Sequence, residues 1–185
     1  MINLEKGQRV SMDKGLTLVS VGLGWDPATT DTDFDLDASA FMLADNGKLL
    51  AEEYFVFYNN PLSPDGSVKT TGDDLTGRNS DGGDDETIHI DLTRVNPAVQ
   101  EIVFTATIYE AVTRRQNFGQ VRNAYIRIVD TTKNEEIVRY DLDEDFSIET
   151  AVEFGRLYRH NGEWKFEAIG NGFKGGLETF INKYQ

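Results

Sequence analysis

The stretch Asp33-Phe34-Asp35-Leu36-Asp37-Ala38-Ser39-Ala40-Phe41 decides the fold class. A β-strand sends successive side chains to opposite faces. Phe34, Leu36, Ala38 and Ala40 therefore fall on one face, and Asp33, Asp35 and Asp37 on the other. The same alternation, in runs rich in Val, Ile, Phe, Tyr and Thr, recurs at 17–25, 33–43, 54–58, 86–92, 101–109, 124–130, 135–142, 151–158 and 163–169. Such residues suit a pleated, half-buried surface. Asp45-Asn46-Gly47 and Asn161-Gly162 read as tight hairpins, because Asn and Gly tolerate the positive φ that these turns require. The pattern predicts an all-β fold, a β-sandwich of about nine or more strands, in one domain spanning 1–185. Helical turns are expected near 94–99 and 111–118. Only the C-terminus has a helical stripe, with Leu177, Phe180, Ile181 and Tyr184 at i, i+3, i+4 and i+7. Residues 60–85, dense in Gly, Asp, Ser and Asn, read as one long irregular connection.

Charge is distributed unevenly along this frame. Residues 26–91 hold 16 acids and 3 bases, a net of −13 out of −14 for the whole chain. The acidic balance argues against DNA, RNA or anionic lipid as a partner, because phosphate contacts need clustered Lys and Arg. The chain has no cysteine, which excludes disulfides, thiolate metal sites and thiol redox chemistry. No apolar run is long enough to span a membrane and the N-terminus has no signal core, so a cytoplasmic protein without membrane insertion is expected.

The acids fall into two constellations. On the strand at 33–37, successive carboxylates lie roughly 6.6 Å apart. Each pair then repels by about 0.6 kcal/mol in water and about 2.5 kcal/mol at an effective dielectric of 20. A wet outer face tolerates this, and a divalent cation converts it into coordination. The second constellation is Gly72-Asp73-Asp74-Leu75-Thr76-Gly77 with Asp81-Gly82-Gly83-Asp84-Asp85-Glu86. Glycine lets carboxylates and carbonyls converge on one point, whereas the bland alternative is a solvated acidic loop. Asn59, Asn60 and Asp65 lie just upstream and carry further oxygen donors. With only His89 and His160 as soft ligands, zinc, copper and iron are poor fits, and the number of hard oxygens favours Ca²⁺ over Mg²⁺. Ala38 at the sixth position of the Asp33 run excludes an EF-hand.

Other motifs carry less. Gly170-Asn171-Gly172-Phe173-Lys174-Gly175 matches GxGxxG, but no second parallel strand or ribose-binding acid follows it. His89 reads as a surface residue. The basic cluster from Arg114 to Arg122 is a weak nucleic-acid patch, and paired acids such as Asp84 and Asp85 make at most a remote case for a hydrolase.

Taken together, these segments resemble the TerD family of bacterial tellurite-resistance and stress proteins. The matching stretches are Val21–Asp26, Asp33–Phe41, Phe55–Asn60, Ser63–Val68, Gly72–Gly77, Gly83–Glu86, Phe118–Asp130 and Arg139–Leu142. The resemblance implies a sandwich that binds Ca²⁺, with two ions expected. The ligand set it implies draws on Asp35, Asp37, Asp73, Asp74, Asp84, Asp85 and Glu86, supported by Asn59, Asn60 and Asp65. Asp33 is a secondary candidate, and the spacer Arg78-Asn79-Ser80-Asp81 departs from the family pattern. The implied role is a calcium-dependent sensor or scaffold with protein partners in a stress or resistance assembly near the membrane, rather than a catalyst. Direct action on tellurite is not expected, because the oxyanion is repelled by this charge and no thiol is present to reduce it. Rival readings are a calcium-dependent carbohydrate-binding sandwich and a metal-dependent hydrolase or nuclease.

Overall fold

The computed structural model describes residues 1–26, 33–71, 83–142 and 148–185. Among these residues twelve strands form two six-stranded sheets. Sheet 1 runs in the order β1 (Ile2–Leu4), β10 (Glu135–Asp141), β9 (Tyr125–Asp130), β3 (Leu18–Gly24), β7 (Glu86–Asp91), β6 (Val68–Thr71). Sheet 2 runs β2 (Arg9–Ser11), β12 (Glu163–Phe173), β11 (Ala151–His160), β8 (Glu101–Ile108), β4 (Leu36–Leu43), β5 (Phe55–Val56). The short helix α1 spans Ala111–Arg114 and the C-terminal helix α2 spans Leu177–Tyr184.

Alternation on the strands builds the core between the sheets. Val19, Val21 and Leu23 of β3 face Leu36, Ala38, Ala40 and Met42 of β4, with Ile88, Ile90, Phe104, Ile126 and Phe154 in the same cluster. Sheet 2 is covered on its outer face as well. Phe41, Leu43, Phe55 and Val103 pack there beneath Phe180 and Tyr184 of α2. The rings of Phe41 and Phe55 stack at 4.5 Å between centroids, and those of Phe55 and Phe57 at 4.3 Å. This second layer explains why β4 and β8 read as nearly continuous apolar runs toward one end rather than as strict alternation.

Both predicted hairpins form. Asn161 and Gly162 adopt φ of 52° and 76° between β11 and β12, the signature of a two-residue turn that matches strand twist. Three expectations change. The strand expected from Asp33 begins at Leu36, because its partner β8 ends at Ile108, paired with Leu36. The Tyr109 N–H still donates to the Asp35 carbonyl at 2.8 Å, and among the described residues the β4–β8 pairing goes no further than Leu36 and Ile108. The expected helical turn near 94–99 is a pair of tight turns closed by Arg94 N–H to Asp91 O and Val99 N–H to Asn96 O. Pro97 biases Asn96 away from helical backbone. Third, the segment 60–85 is not wholly irregular, since Val68–Thr71 pairs antiparallel with β7.

Candidate functional site: an acidic seam between the sheets

The two sheets approach each other where β4 lies near β7. A cavity of about 170 Å³ opens on this seam, lined by Asp37, Ala38, Tyr58, Pro61, Thr70, Thr71 and Glu86. Asp37 comes from sheet 2 and Glu86 from sheet 1, so the cavity joins the two acidic constellations. Strand register dictates the position of Glu86. It pairs with Leu23 at the start of β7 and shares the inward-facing row of Ile88 and Ile90.

The neighbouring acids are also withdrawn from water. Asp35, Asp85 and Glu86 are each 8% exposed, and Asp37 is half-buried. Charged side chains are seldom buried to this degree unless something compensates them. The solvated-face alternative therefore does not hold for Asp35. Asp85 is fixed through both backbone and side chain. Its N–H donates to Leu23 O at 2.8 Å, and its carboxylate accepts the Trp25 N–H at 2.8 Å. Trp25 is itself in the core, as its parity with Val21 and Leu23 predicts.

Asp84 is placed differently. Its Oδ1 accepts from Arg127 Nε at 2.7 Å and Tyr125 OH at 3.0 Å, and its Oδ2 from Arg127 Nη2 at 3.1 Å. The fork is a charge-assisted, bidentate pair. It raises the Arg127 guanidinium above its ordinary range, while burial and the Asp84 charge push the Tyr125 phenol upward.

The upstream candidates serve local structure. Asp65 accepts hydrogen bonds from Ser63 Oγ (2.6 Å), Ser67 N–H (2.9 Å), Ser67 Oγ (2.7 Å) and Asn96 N–H (2.8 Å). Burial pushes its pKa up, but these donors outweigh it and hold the carboxyl below its ordinary value. Asn60 donates through Nδ2 to Glu53 O and Phe55 O at 3.0 and 2.7 Å, stapling the chain after β5. Asn59 is exposed in the adjacent turn, and Asp33 offers its carbonyl to Gln116 Nε2 at 3.1 Å. Asp73, Asp74 and Asp81 lie outside the described residues.

The structure thus brings together Asp37 and Glu86, with Asp35 and Asp85 beside them in sequence, and leaves Asp65 and Asn60 in turns of their own. Among the described residues no group of three or more His, Asp or Glu side chains could hold a metal ion. The donors at the seam are nevertheless all oxygens, the ligand type that a hard cation such as Ca²⁺ takes. Sequence reasoning missed Arg127 and Tyr125. The signal was present in β9, where both fall on the face opposite Ile126 and Ile128.

Comparison with known proteins agrees with this architecture. Residues 1–184 match the TerD domain. The chain is 52% identical over 187 residues to the tellurium resistance protein TerD of Serratia marcescens, covering 99% of this chain and 96% of that protein. It is 51% identical over 188 residues to general stress protein 16U of Bacillus subtilis, with the same coverage of 99% and 96%. A crystal structure of a TerD homologue from Streptomyces coelicolor A3(2) shares the fold with a TM-score of 0.70 at 23% identity, covering 90% of this chain and 96% of that one. The match over residues 1–184 and the 52% identity along nearly the whole chain make this chain a member of the TerD family.

Proposed function

We propose that this chain is a calcium-binding stress-response protein linked to tellurite resistance, working in the cytoplasm as a sensor or scaffold rather than as a catalyst. One observation carries the calcium reading: carboxylates from opposite sheets, Asp37 and Glu86, line one cavity, and Asp35 and Asp85 are buried beside them in sequence. Asp35, Asp37, Asp85 and Glu86 are the described residues that would hold Ca²⁺, with Asp73 and Asp74 as the further donors read from sequence. Bound Ca²⁺ supplies positive charge that offsets the mutual repulsion of these acids. The acids in turn tie the start of β4 to the start of β7, so occupancy is linked to the surface around the seam. That surface is where a protein partner of a stress or resistance assembly would read the calcium state. The stress and resistance roles rest on the names of the relatives in Serratia and Bacillus. Among the described residues no helix is long and apolar enough to cross a membrane.

The test is calorimetric titration of Ca²⁺ into chelator-treated protein, paired with thermal unfolding. Binding heat should appear. At a free ion concentration 100 times Kd, the native state gains about 2.7 kcal/mol, or roughly 5–10 °C in Tm for a chain of this size. No heat and no shift at millimolar Ca²⁺ would refute the reading.

One observation favours a second reading. Tyr58 is 50% exposed and lines the same cavity as Asp37 and Glu86, an arrangement suited to stacking a sugar ring beside a cation. A glycan array that stays blank with Ca²⁺ present would exclude it.

A further inference from the structure

We propose that Arg127 is a positioning residue for the cation site, and that Asp84 is the tether it grips rather than a ligand. The proposal rests on the calcium reading above. Asp84 lies flat on the outer face of sheet 1 in a slot left by Gly22. A Cβ on Gly22 would sit 2.1 Å from Asp84 Oδ2 and 2.2 Å from its Cγ. Gly24 leaves the adjoining slot, where a Cβ would sit 2.4 Å from the Tyr125 hydroxyl. Into these slots β9 delivers Arg127 opposite Gly22 and Tyr125 opposite Gly24. The guanidinium is oriented from behind by Glu136 Oε2 at 3.1 Å from Nη1. Arg139 stacks over the Tyr125 ring at 4.0 Å.

The tether acts on the two acids that follow it. Asp84 is held outward and Glu86 faces inward, so the chain crosses from one face of the sheet to the other at Asp85. A regular strand would return residues two apart to the same face. The crossing is held by the Arg127 fork on one side and by the Asp85 contacts with Leu23 and Trp25 on the other. Asp84 is only 11% exposed with both oxygens engaged, so its carboxylate spends its charge on the arginine.

Electrostatics and positioning predict opposite signs. Removing a cation near a Ca²⁺ site should tighten binding if charge alone matters. Removing a positioning residue should weaken it, by about 10–100-fold as for other groups that orient metal ligands. The experiment measures Ca²⁺ affinity and amide hydrogen exchange in the wild type, Arg127→Met, Arg127→Lys, Asp84→Asn and the Arg127→Met/Asp84→Asn double variant. The expected result is at least tenfold weaker Ca²⁺ binding in Arg127→Met, partial recovery in Arg127→Lys, and a double variant no worse than the poorer single one. Exchange at the Asp85 and Trp25 amides should quicken in the metal-free variants, while Val103 and Leu157 in sheet 2 stay protected. Unchanged or tighter Ca²⁺ binding in Arg127→Met overturns the proposal. Additive losses in the double variant return Asp84 to the ligand set and overturn it as well. If Arg127→Met loses protection throughout, Arg127→Lys, which keeps the charge without the fork, decides by the same readouts. A wild type that binds no Ca²⁺ sinks the calcium reading instead. The exchange data then decide whether Arg127 holds this segment at all, and unchanged rates at Asp85 and Trp25 reject that too.

Discussion

Glu86 stands directly opposite Leu23 in the β3–β7 register, in an inward row that Val19, Val21, Ile88 and Ile90 fill with hydrocarbon. A carboxylate there forgoes hydration for the sake of its position. Glu86→Gln, which keeps the side chain's shape and removes its charge, should leave the metal-free protein folded with a Tm close to that of the wild type. The same change should abolish the rise in Tm that Ca²⁺ gives the wild type. Thermal scans with and without chelator measure both effects. An undiminished calcium shift in the variant would remove Glu86 from the ligand set.

Asp65 organises the turn before β6 through four donors, so Asp65→Ala should cost about 1–3 kcal/mol. Its native pKa lies below the ordinary 3.8. The stabilisation is therefore fully present above about pH 4 and is lost as pH falls through the native value. The gap in urea midpoint between wild type and variant should be wide at pH 7 and should close toward pH 2. A constant gap would mean that the carboxylate charge is not what the turn uses.

Tyr184 anchors α2 through its hydroxyl to the buried Glu153, which also accepts Lys183 Nζ at 2.6 Å. Burial, then the hydrogen bond to Glu153, raises the phenol above its ordinary 10.0. Protonated Tyr184 therefore stabilises the fold fully below pH 10, and this contribution disappears as pH climbs through the raised native value. Tyr184→Phe should lose about 1–3 kcal/mol at neutral pH and show a smaller loss in alkali. Denaturation at pH 7 and pH 11 makes the comparison.

Gly155 sits at the β11 bulge, where a Cβ would lie 2.5 Å from Phe166 Cζ and 2.9 Å from the Glu167 carbonyl. The ring is fully buried and the carbonyl is backbone, so neither yields readily. Gly155→Ala should cost about 1–3 kcal/mol without altering Ca²⁺ affinity, since the bulge is separated from β4 by the whole of β8. A calcium defect of the same size as the stability defect would contradict this.

Much of the fold was legible because the sheets are built from regular alternation. β3, β7, β9 and β10 fall within a residue or two of the runs that predicted them, and α2 begins and ends with its apolar stripe. β1 and β2 were not legible. They are three residues each, too short for a period of two to register, and they exist because β10 and β12 offer open edges. β6 was hidden for another reason: Val68-Lys69-Thr70-Thr71 is embedded in Gly, Asp and Ser, whose turn propensity dominates any local window. At the site, strand parity applies to Asp37, which alternates with Leu36 and Ala38 on β4, whereas Asp35 precedes the strand. Parity could not indicate that Asp35 would be buried, because that depends on segments far away in sequence. Asp84, Asp85 and Glu86 looked equivalent as consecutive acids. Register separates them, sending Asp84 to Arg127, Asp85 to Trp25 and Glu86 into the seam.

The pairing of the first two strands has a consequence for how the chain is made. Residues 2–4 join 138–140, and residues 9–11 join 165–167. Neither early segment can dock until those late partners have left the ribosome, which at about 5–20 residues per second means a wait on the order of ten seconds. Closure of such distant pairings is also intrinsically slow, in the range of about milliseconds to seconds. From the synthesis of β1 and β2 until that of β10 and β12, the nascent chain therefore carries both early segments unpaired and both sheets open at one edge.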